Sequence, residues 1–528
     1  MPRKDEYKPL LLTTTVRSPE RYKLLLNILL KYNGVVLTNE IIDKVIFDMV
    51  ANKLYMPIYA LREQKLKIQL LNEDEPFSDV ETKEIIDNSP QKHKEAGFDY
   101  GWASRFDTFF KFAMELGFIY YEMHKPIEFS ETGLKLVKSI EPAFAHLEKQ
   151  VFLNAFVKYQ RVNPFRRIKN TNKPLILLLQ TISEIKRITK DANAFISRLE
   201  IALILCWRND SALSLANKII EIRNKFGFVP SEDYLYEICV ELLDIDMAKA
   251  ETRFKKNNIF KEMIDEFIRK MRLTSLISIR GGGRFVDFNM LEIEKIKYVL
   301  SKYSSSWIKF KSPRNYFDYM KATDTNLISL ESKEIINENE KDRLFIKWVN
   351  EFALDALKQE LLILCNKNAH TKNNILKYIS EPTRLEFLTA IALKKAFPDL
   401  NVSPNYIIDD EGLPTTFAPG GNADIVCKDE FGNILFEVTL LVGSQQNIRE
   451  MPSIQRHLED SVLICPNSFS VFLCPRAHSD TLSYSKWLKD CKNLVISVLE
   501  IAEFAKTFGA LENAREYANT QFLINFSV

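Results

Sequence analysis

"NADIVCKDEFGNILFEVTLL" (residues 422–441) sets one carboxylate in each of two apolar segments. The segments "ADIVCKD" and "NILFEVTLL" read as buried strands joined by the tight turn "DEFG". In an antiparallel hairpin centred between Glu430 and Phe431, Asp424 and Glu437 are equidistant from the turn. They then oppose each other across the ladder, with Cβ atoms roughly 5 Å apart. Thr439 lies two residues beyond Glu437, on the same face. An ionised carboxylate taken out of water costs several kcal/mol unless something pairs with it. Two opposed carboxylates repel unless one is protonated or a cation lies between them. A hard divalent ion with oxygen ligands fits, and Mg²⁺ is the usual one beside phosphate. The alternative is a carboxylate that turns to solvent at a strand end, or pairs with Lys428 or an arginine. With 70 acidic residues in the chain the spacing alone discriminates little. The setting of apolar strands with helices on either side is what singles the pair out.

That setting extends both ways. "PTRLEFLTAIALKKAF" (residues 382–397) reads as a helix and "SPNYIID" (403–409) as a strand. Downstream, "SQQNIREMPSIQRHLEDSV" (444–462) contains a helix, while "VFLCPRA" (471–477) and "LVISVLEI" (494–501) are strands. Strands alternating with helices argue for an α/β sheet domain. Glu450 and His457 stand about two helical turns apart, so they share a helix face that a packed helix could aim at the carboxylate pair.

The rest of the chain differs in kind. At 528 residues and 46% hydrophobic content there is material for several cores, about 150 residues being typical of one domain. We expect domains at 1–150 and 151–310, a polar linker at 311–340, and the α/β domain at 341–528. No apolar run approaches the roughly 20 residues of a membrane span. The first residues, "MPRKDEYKPLLLTTT", lack the pattern of a signal peptide, so a cytoplasmic location is expected. The seven cysteines form no C-x-x-C pair, which speaks against a zinc site or a disulfide framework.

Net charge is only +2, so nucleic-acid binding would need local basic patches. "SPERYKLLLNILLKYNG" (residues 18–34) reads as a helix capped by Ser18 with Pro19 in its first turn. Residues 99–140 then read as helix, strand "GFIYYE", turn, strand "IEFS", helix. This winged-helix pattern recurs at residues 257–303, with strands "LISI" and "FVDF" around the turn "RGGGR". Three glycines would let the backbone approach a phosphate, with Arg280 and Arg284 reaching a groove. Two stretches mix cations with aromatics. "VKYQRVNPFRRIKNTNKP" (157–174) carries Lys158, Arg161, Arg166, Arg167, Lys169 and Lys173. "SSSWIKFKSPRNYF" (304–317) carries Lys309, Lys311 and Arg314. Both are expected to touch phosphate rather than to form plain solvated faces.

Helix, strand, "AD", hairpin, "EVT", helix is similar to the PD-(D/E)XK nuclease core, and most specifically resembles the AlwI family of type IIS restriction endonucleases, which includes nicking enzymes. The matching residues are Glu386 in "PTRLEF", Asp424 in "GNAD", Glu437-Val438-Thr439, Glu450 in "IREM" and His457 in "IQRH"; "NPFRR" (163–167) also matches. The resemblance implies a mainly α N-terminal half with winged-helix-like DNA-recognition units and a C-terminal nuclease domain with a mixed sheet flanked by helices. It implies Mg²⁺ on Asp424, Glu437 and the Val438 carbonyl, phosphodiester hydrolysis at a distance from an asymmetric site, and 5′-phosphate products. Glu386 would belong to the outer metal shell. Thr439 stands where the family of folds carries a lysine, and Glu450 and His457 are the candidates for its task. Double-stranded DNA is the expected partner. A second nuclease domain, from another copy or a small subunit, is expected for double-strand cleavage, and a cognate DNA methyltransferase as system partner. Two alternatives stay open: another PD-(D/E)XK enzyme such as a transposase or repair nuclease, and a winged-helix DNA-binding protein whose nuclease domain is inactive.

Overall fold

The 422–441 hairpin sits inside a five-stranded sheet. Its strands are Asn401–Pro404 (β1), Ile425–Lys428 (β2), Asn433–Val438 (β3), Phe469–Cys474 (β4) and Ile496–Glu500 (β5). In the computed structural model they lie in the order β5-β4-β3-β2-β1. β1–β2 and β2–β3 are antiparallel, while β3–β4 and β4–β5 are parallel, so the sheet is mixed. Parallel pairs need a crossover, usually a helix. Met451–Ile464 (α2) lies between β3 and β4, and Ser479–Lys492 (α3) between β4 and β5; Glu381–Ala396 (α1) precedes the sheet. The structure describes residues 5–507 apart from 14, 17–20, 64, 67–74, 193, 228–229, 306, 332–339, 367–368, 419–420 and 430–431. The expected cap Ser18, with Pro19, and the turn residues Glu430 and Phe431 lie outside the described residues.

Alternation along β3 divides the core into two layers. Ile434 and Phe436 pack with Leu385, Leu388 and Ile391 of α1 on one face. Leu435 packs with Met451, Ile454 and Leu458 of α2 on the other. Hairpin pairs run from Asn433↔Lys428 to Phe436↔Ile425, the register read from the sequence. Glu437 follows two residues after Leu435, on the α2 side of the central strand.

The chain divides into two compact units: residues 1–278 with 286–334, and residues 279–285 with 335–528. The first contains one helix–strand–strand run whole and most of a second, whose turn at 279–285 belongs to the other unit. In one, helices Arg21–Leu30, Asn39–Ala51 and Trp102–Glu115 precede strands Ile119–Tyr120 and Glu128–Phe129. Thr38 caps the second helix, its hydroxyl accepting from the Ile41 amide. Residues 34–37 add an extended segment that the sequence reading missed, bonded through Leu37 N to Lys125 O and Ile127 N to Val35 O, both at 2.9 Å. In the other, Pro174–Thr189, Ile196–Ser197 and Ile201–Cys206, then three more helices (Ala212–Phe226, Glu232–Leu243 and Met247–Arg253) and Ile264–Arg272, precede Ile277–Arg280 and Phe285–Phe288. Phe285–Phe288 lies between the other two strands of that sheet. In both runs the last segment is therefore the middle one.

The stretch 311–340, expected to be a linker, holds helices Pro313–Lys321 and Thr325–Ser329. Tyr316, Phe317, Met320 and Leu327 are buried there, so its polar composition belongs to the outer faces of packed helices. Among the described residues no helix is long and apolar enough to cross a membrane.

The sheet's core yields a first prediction. Phe436 is fully buried in β3, and Phe436→Ala should destabilise the second unit by about 3–5 kcal/mol. Urea titration followed by circular dichroism checks this; an unmoved midpoint would contradict the packing of β3 against α1.

Candidate active site

The hairpin ladder stops one pair short of Asp424 and Glu437. Asp424 instead turns its carboxylate onto the end of the partner strand, where its Oδ2 accepts from Val438 N at 2.8 Å. Its main-chain oxygen accepts from Asn405 N at 2.9 Å, and Asn405 Nδ2 also donates to Ala423 O at 2.7 Å. Asn405 thus fixes the approach to Asp424. It sits between strands, where no spacing marks it, and the sequence reading passed over it.

Glu437 is buried, and His457 of α2 reaches it with Nδ1 2.8 Å from Oε1. With the proton on Nδ1 the imidazole donates to the carboxylate. Its Nε2 is buried and has no hydrogen-bond partner among the described residues. Thr439 hands its hydroxyl toward Glu450 Oε1 at 3.4 Å. A π-helical turn, Gln446–Glu450, opens directly into α2, so Glu450 and His457 stay on one side as expected. Glu386, on α1, is buried and its Oε2 accepts from Ala418 N at 3.2 Å.

These four carboxylates act on one another. Burial raises Asp424 well above the usual aspartate range, and the charges of Glu437, Glu386 and Glu450 raise it further against the pull of the Val438 amide. Glu386 is pushed up to about 7, first by burial, with Glu437 adding to it. Burial also raises Glu437, opposed by the His457 hydrogen bond, and Glu450, opposed by the Thr439 hydroxyl. Among the described residues no group of three or more His, Cys, Asp or Glu is gathered closely enough to hold a metal ion by itself.

Residues 114–321 and 315–505, well over half the chain, match the AlwI restriction endonuclease family. The chain belongs to that family. It is a restriction endonuclease, a site-specific nuclease. No curated protein matches its sequence. Among solved structures, it is similar to the small subunit of the heterodimeric restriction endonuclease R.BspD6I, at 22% identity over 33% of this chain and 87% of that one, with a TM-score of 0.27. The BpuJ1 endonuclease binding domain, in complex with modified DNA, matches at 15% identity over 60% of this chain and 96% of that one, TM-score 0.35. Restriction endonuclease FokI matches at 12% identity over 98% of this chain and 99% of that one, TM-score 0.24. All three are distant likenesses.

The basic residues expected on this endonuclease's DNA-facing patches divide by burial. Lys158 and Arg161 are inside the first unit. Lys158 Nζ donates to the carbonyls of Tyr319, Met320 and Ala322, and burial pushes its ammonium down to about 7. Arg161 donates to Leu205 O at 2.8 Å and to Lys8 O. Arg166 pairs with buried Glu115 at 2.6 Å and donates to Leu11 O. Lys173 Nζ reaches Tyr303 O and Ser305 O. All four bond main-chain carbonyls; Lys158, Arg161 and Lys173 are buried, and Arg166 is half-buried. Arg167, Lys169, Lys309 and Lys311 are exposed. Arg314 is paired with Glu128 and Asp318.

The glycine turn also differs from expectation. Arg280 pairs with Glu411 at 2.7 Å. The amides of Gly281 and Gly282 donate to the carboxylates of Glu411 and Asp409 at 3.2 and 2.8 Å. The close approach is real, but the anions are the chain's own. Gly281 has φ 62°, and a Cβ there would lie 2.5 Å from the Phe285 ring, so glycine is required. Arg284 is exposed.

The raised carboxylates give a pH prediction for metal-free enzyme. Glu386 binds its proton more tightly folded, at about 7, than at its ordinary 4.5. Its contribution to stability is therefore full below about pH 4.5 and is lost as pH rises through about 7. In EDTA, Glu386→Gln should lose less stability than the wild type between about pH 5 and pH 8, by on the order of 1–3 kcal/mol. Thermal denaturation across that range checks it; parallel curves would contradict the buried-carboxylate assignment.

Proposed function

We propose that the chain is a type IIS enzyme. Its first unit binds an asymmetric sequence in double-stranded DNA, and its second hydrolyses phosphodiester bonds outside that sequence with Mg²⁺, leaving 5′-phosphate ends. The observation that carries this is the Asp424–Glu437 pair at the end of a buried hairpin, with Glu386, Glu450 and His457 converging on it from two helices. Helix, strand, hairpin and crossover helix in that order support a PD-(D/E)XK core.

The donor set fits the metal. Asp424, Glu437 and the Val438 carbonyl would hold Mg²⁺, an ion that takes one or two carboxylates and fills its other positions with water and substrate phosphate. The groups whose protons are held too tightly are those whose charge a cation would relieve. When bound, Mg²⁺ supplies Lewis acidity at the scissile phosphate and lowers the pKa of an adjacent water. The chain supplies the rest. His457 holds Glu437 in one orientation and opposes the proton that burial favours on it. Thr439, in the lysine position, directs its hydroxyl to Glu450. We assign to Glu450 the uptake of the proton from the attacking water, a task suited to a carboxylate that burial has raised. Glu386 supports the cluster from α1.

Two helix–strand–strand runs, each with a third short extended segment beside its last strand, support two winged-helix units. Arg167, Lys309 and Lys311, exposed and neighbouring aromatic residues in the sequence, would contact DNA phosphates. A DNA methyltransferase that protects host sites is the system partner this activity requires.

Asp424→Ala should abolish Mg²⁺-dependent cleavage of a plasmid and leave sequence-specific binding, measured by mobility shift in EDTA, within about twofold. Glu450→Gln should lose about 10²- to 10⁴-fold in single-turnover rate. Retained cutting by the Asp424 variant would overturn the assignment.

One carboxylate centre attacks one phosphodiester at a time, and the strands of a duplex run in opposite directions. Double-strand cutting therefore needs a second nuclease domain, from another copy or a separate small subunit. At low concentration the isolated chain should nick one strand of a single-site plasmid, and linear product should rise more steeply than enzyme concentration. Linearisation without a nicked intermediate, at a rate independent of concentration, would contradict this.

A further inference from the structure

A polar cavity lies in the sheet-bearing unit, at the start of α1. It has a volume of about 560 Å³, and Arg284, His370, Lys377, Ser380, Glu381 and Arg384 line it. Ligand sites typically span about 300–1,000 Å³. Three cationic side chains face one carboxylate there, so the lining favours an anion.

Two independent features say which kind. The first is the helix. α1 is 16 residues long, and its N-cap Ser380 makes no side-chain bond to the first-turn amides. The Ser380 hydroxyl bonds Thr383 Oγ1 at 2.9 Å instead. An uncapped helix start with positive dipole is a ready anion site. The second is Arg384, only 4% exposed. One guanidinium nitrogen reaches Leu376 O at 3.3 Å and another lies 3.7 Å from Glu381. Its buried Nε has no partner. A buried guanidinium with an unused donor is costly unless a ligand completes it, and planar, forked donors suit phosphate. Lys377, exposed and held by Asn374 at 2.9 Å, stands at the rim.

Arg384 and Glu386 are two residues apart on α1, about 200° around the helix. The helix that brings Glu386 to the carboxylate cluster thus turns Arg384 to the opposite side. We propose that this cavity binds a phosphate group and, resting on the nuclease reading, that the phosphate is a backbone phosphate of the cut DNA away from the scissile bond. Binding there would fix the rotation of α1 and with it the place of Glu386.

The test uses the full chain in EDTA, so that cleavage plays no part. Inorganic phosphate is titrated at constant ionic strength and followed by ³¹P line width and thermal shift. Binding of a cognate duplex is measured over a range of salt. Wild-type chain should bind phosphate saturably. Lys377→Ala, at an exposed position, and Arg384→Gln should each weaken it about tenfold, as loss of one charge-assisted donor implies. The same variants should weaken duplex binding about three- to tenfold and make its salt dependence shallower by about one counterion. Weaker phosphate binding with unchanged duplex binding would overturn the DNA source and leave a site for free phosphate or a nucleotide. No saturable phosphate binding by wild type, with unchanged duplex binding in Lys377→Ala, would overturn the site itself. Asp424→Ala should keep full phosphate binding, so failure of the nuclease reading and failure of this site give different results.

Discussion

Four carboxylates around one end of a hairpin, Glu386 and Glu437 buried and Asp424 and Glu450 half-buried, set the terms for the second unit. Few hydrogen bonds reach them: Val438 N donates to Asp424, Ala418 N to Glu386, His457 and the Asp424 main chain to Glu437, and Thr439 to Glu450. One or two bonds apiece do not offset the loss of hydration of a charge. The surrounding packing must hold the cluster against its own repulsion. It does so with a sheet covered on both faces, Phe436 buried against α1 and Leu435 against α2. A strand exposed on one side could relax by a one-residue slip and turn Glu437 to solvent. β3, the central strand with neighbours on both sides, cannot.

The same arrangement explains why so much of the site was legible in the sequence. A hairpin has a centre, so the register that brings Asp424 and Glu437 level follows from the turn alone. Helical periodicity placed Glu450 and His457 on one face in the same way. The fate of the Asp424 side chain was not legible. Opposition across a ladder predicts two carboxylates side by side, but the ladder ends early and Asp424 caps the Val438 amide. Asn405 escaped notice because its role depends on where two loops meet. The cavity at α1 escaped because His370, Lys377 and Arg384 come from separate turns of chain.

Basic stretches were misread for a different reason. Sequence gives the sign of a charge and its neighbours, not its depth. In "VKYQRVNPFRRIKN" the aromatic Tyr159, mixed with the cations, is a core residue, almost fully buried. Long cations among core aromatics end up beneath the surface, where they find main-chain carbonyls. Lys158 and Arg161 satisfy carbonyls that no helix or strand would otherwise pair, which matters in a loop-rich region. Arg167 and Lys169 stay outside. The recurring strand–turn–strand pattern was read correctly as a pattern, yet its third strand was missed both times. Residues 34–37 and Ile196–Ser197 are too short to show a period of two.

Thr439 changes the charge balance of the site. A lysine at this position would set a fixed positive charge beside Glu437 and Asp424 and lower both. Thr439 offers a hydroxyl, already engaged with Glu450. His457 is then the one group among the hydrogen-bond partners of the four carboxylates able to carry positive charge, and only when protonated. The cluster can therefore approach neutrality in two ways, by holding protons or by holding a cation, and the two exclude each other at the same oxygens. If Mg²⁺ is the cation, its binding must expel protons that burial has made tenacious, so its affinity rises with pH. The buried proton that stabilises the apo site is thus a competitor for the metal, and the hydrophobic sheet that raises the carboxylates sets how strongly the two compete.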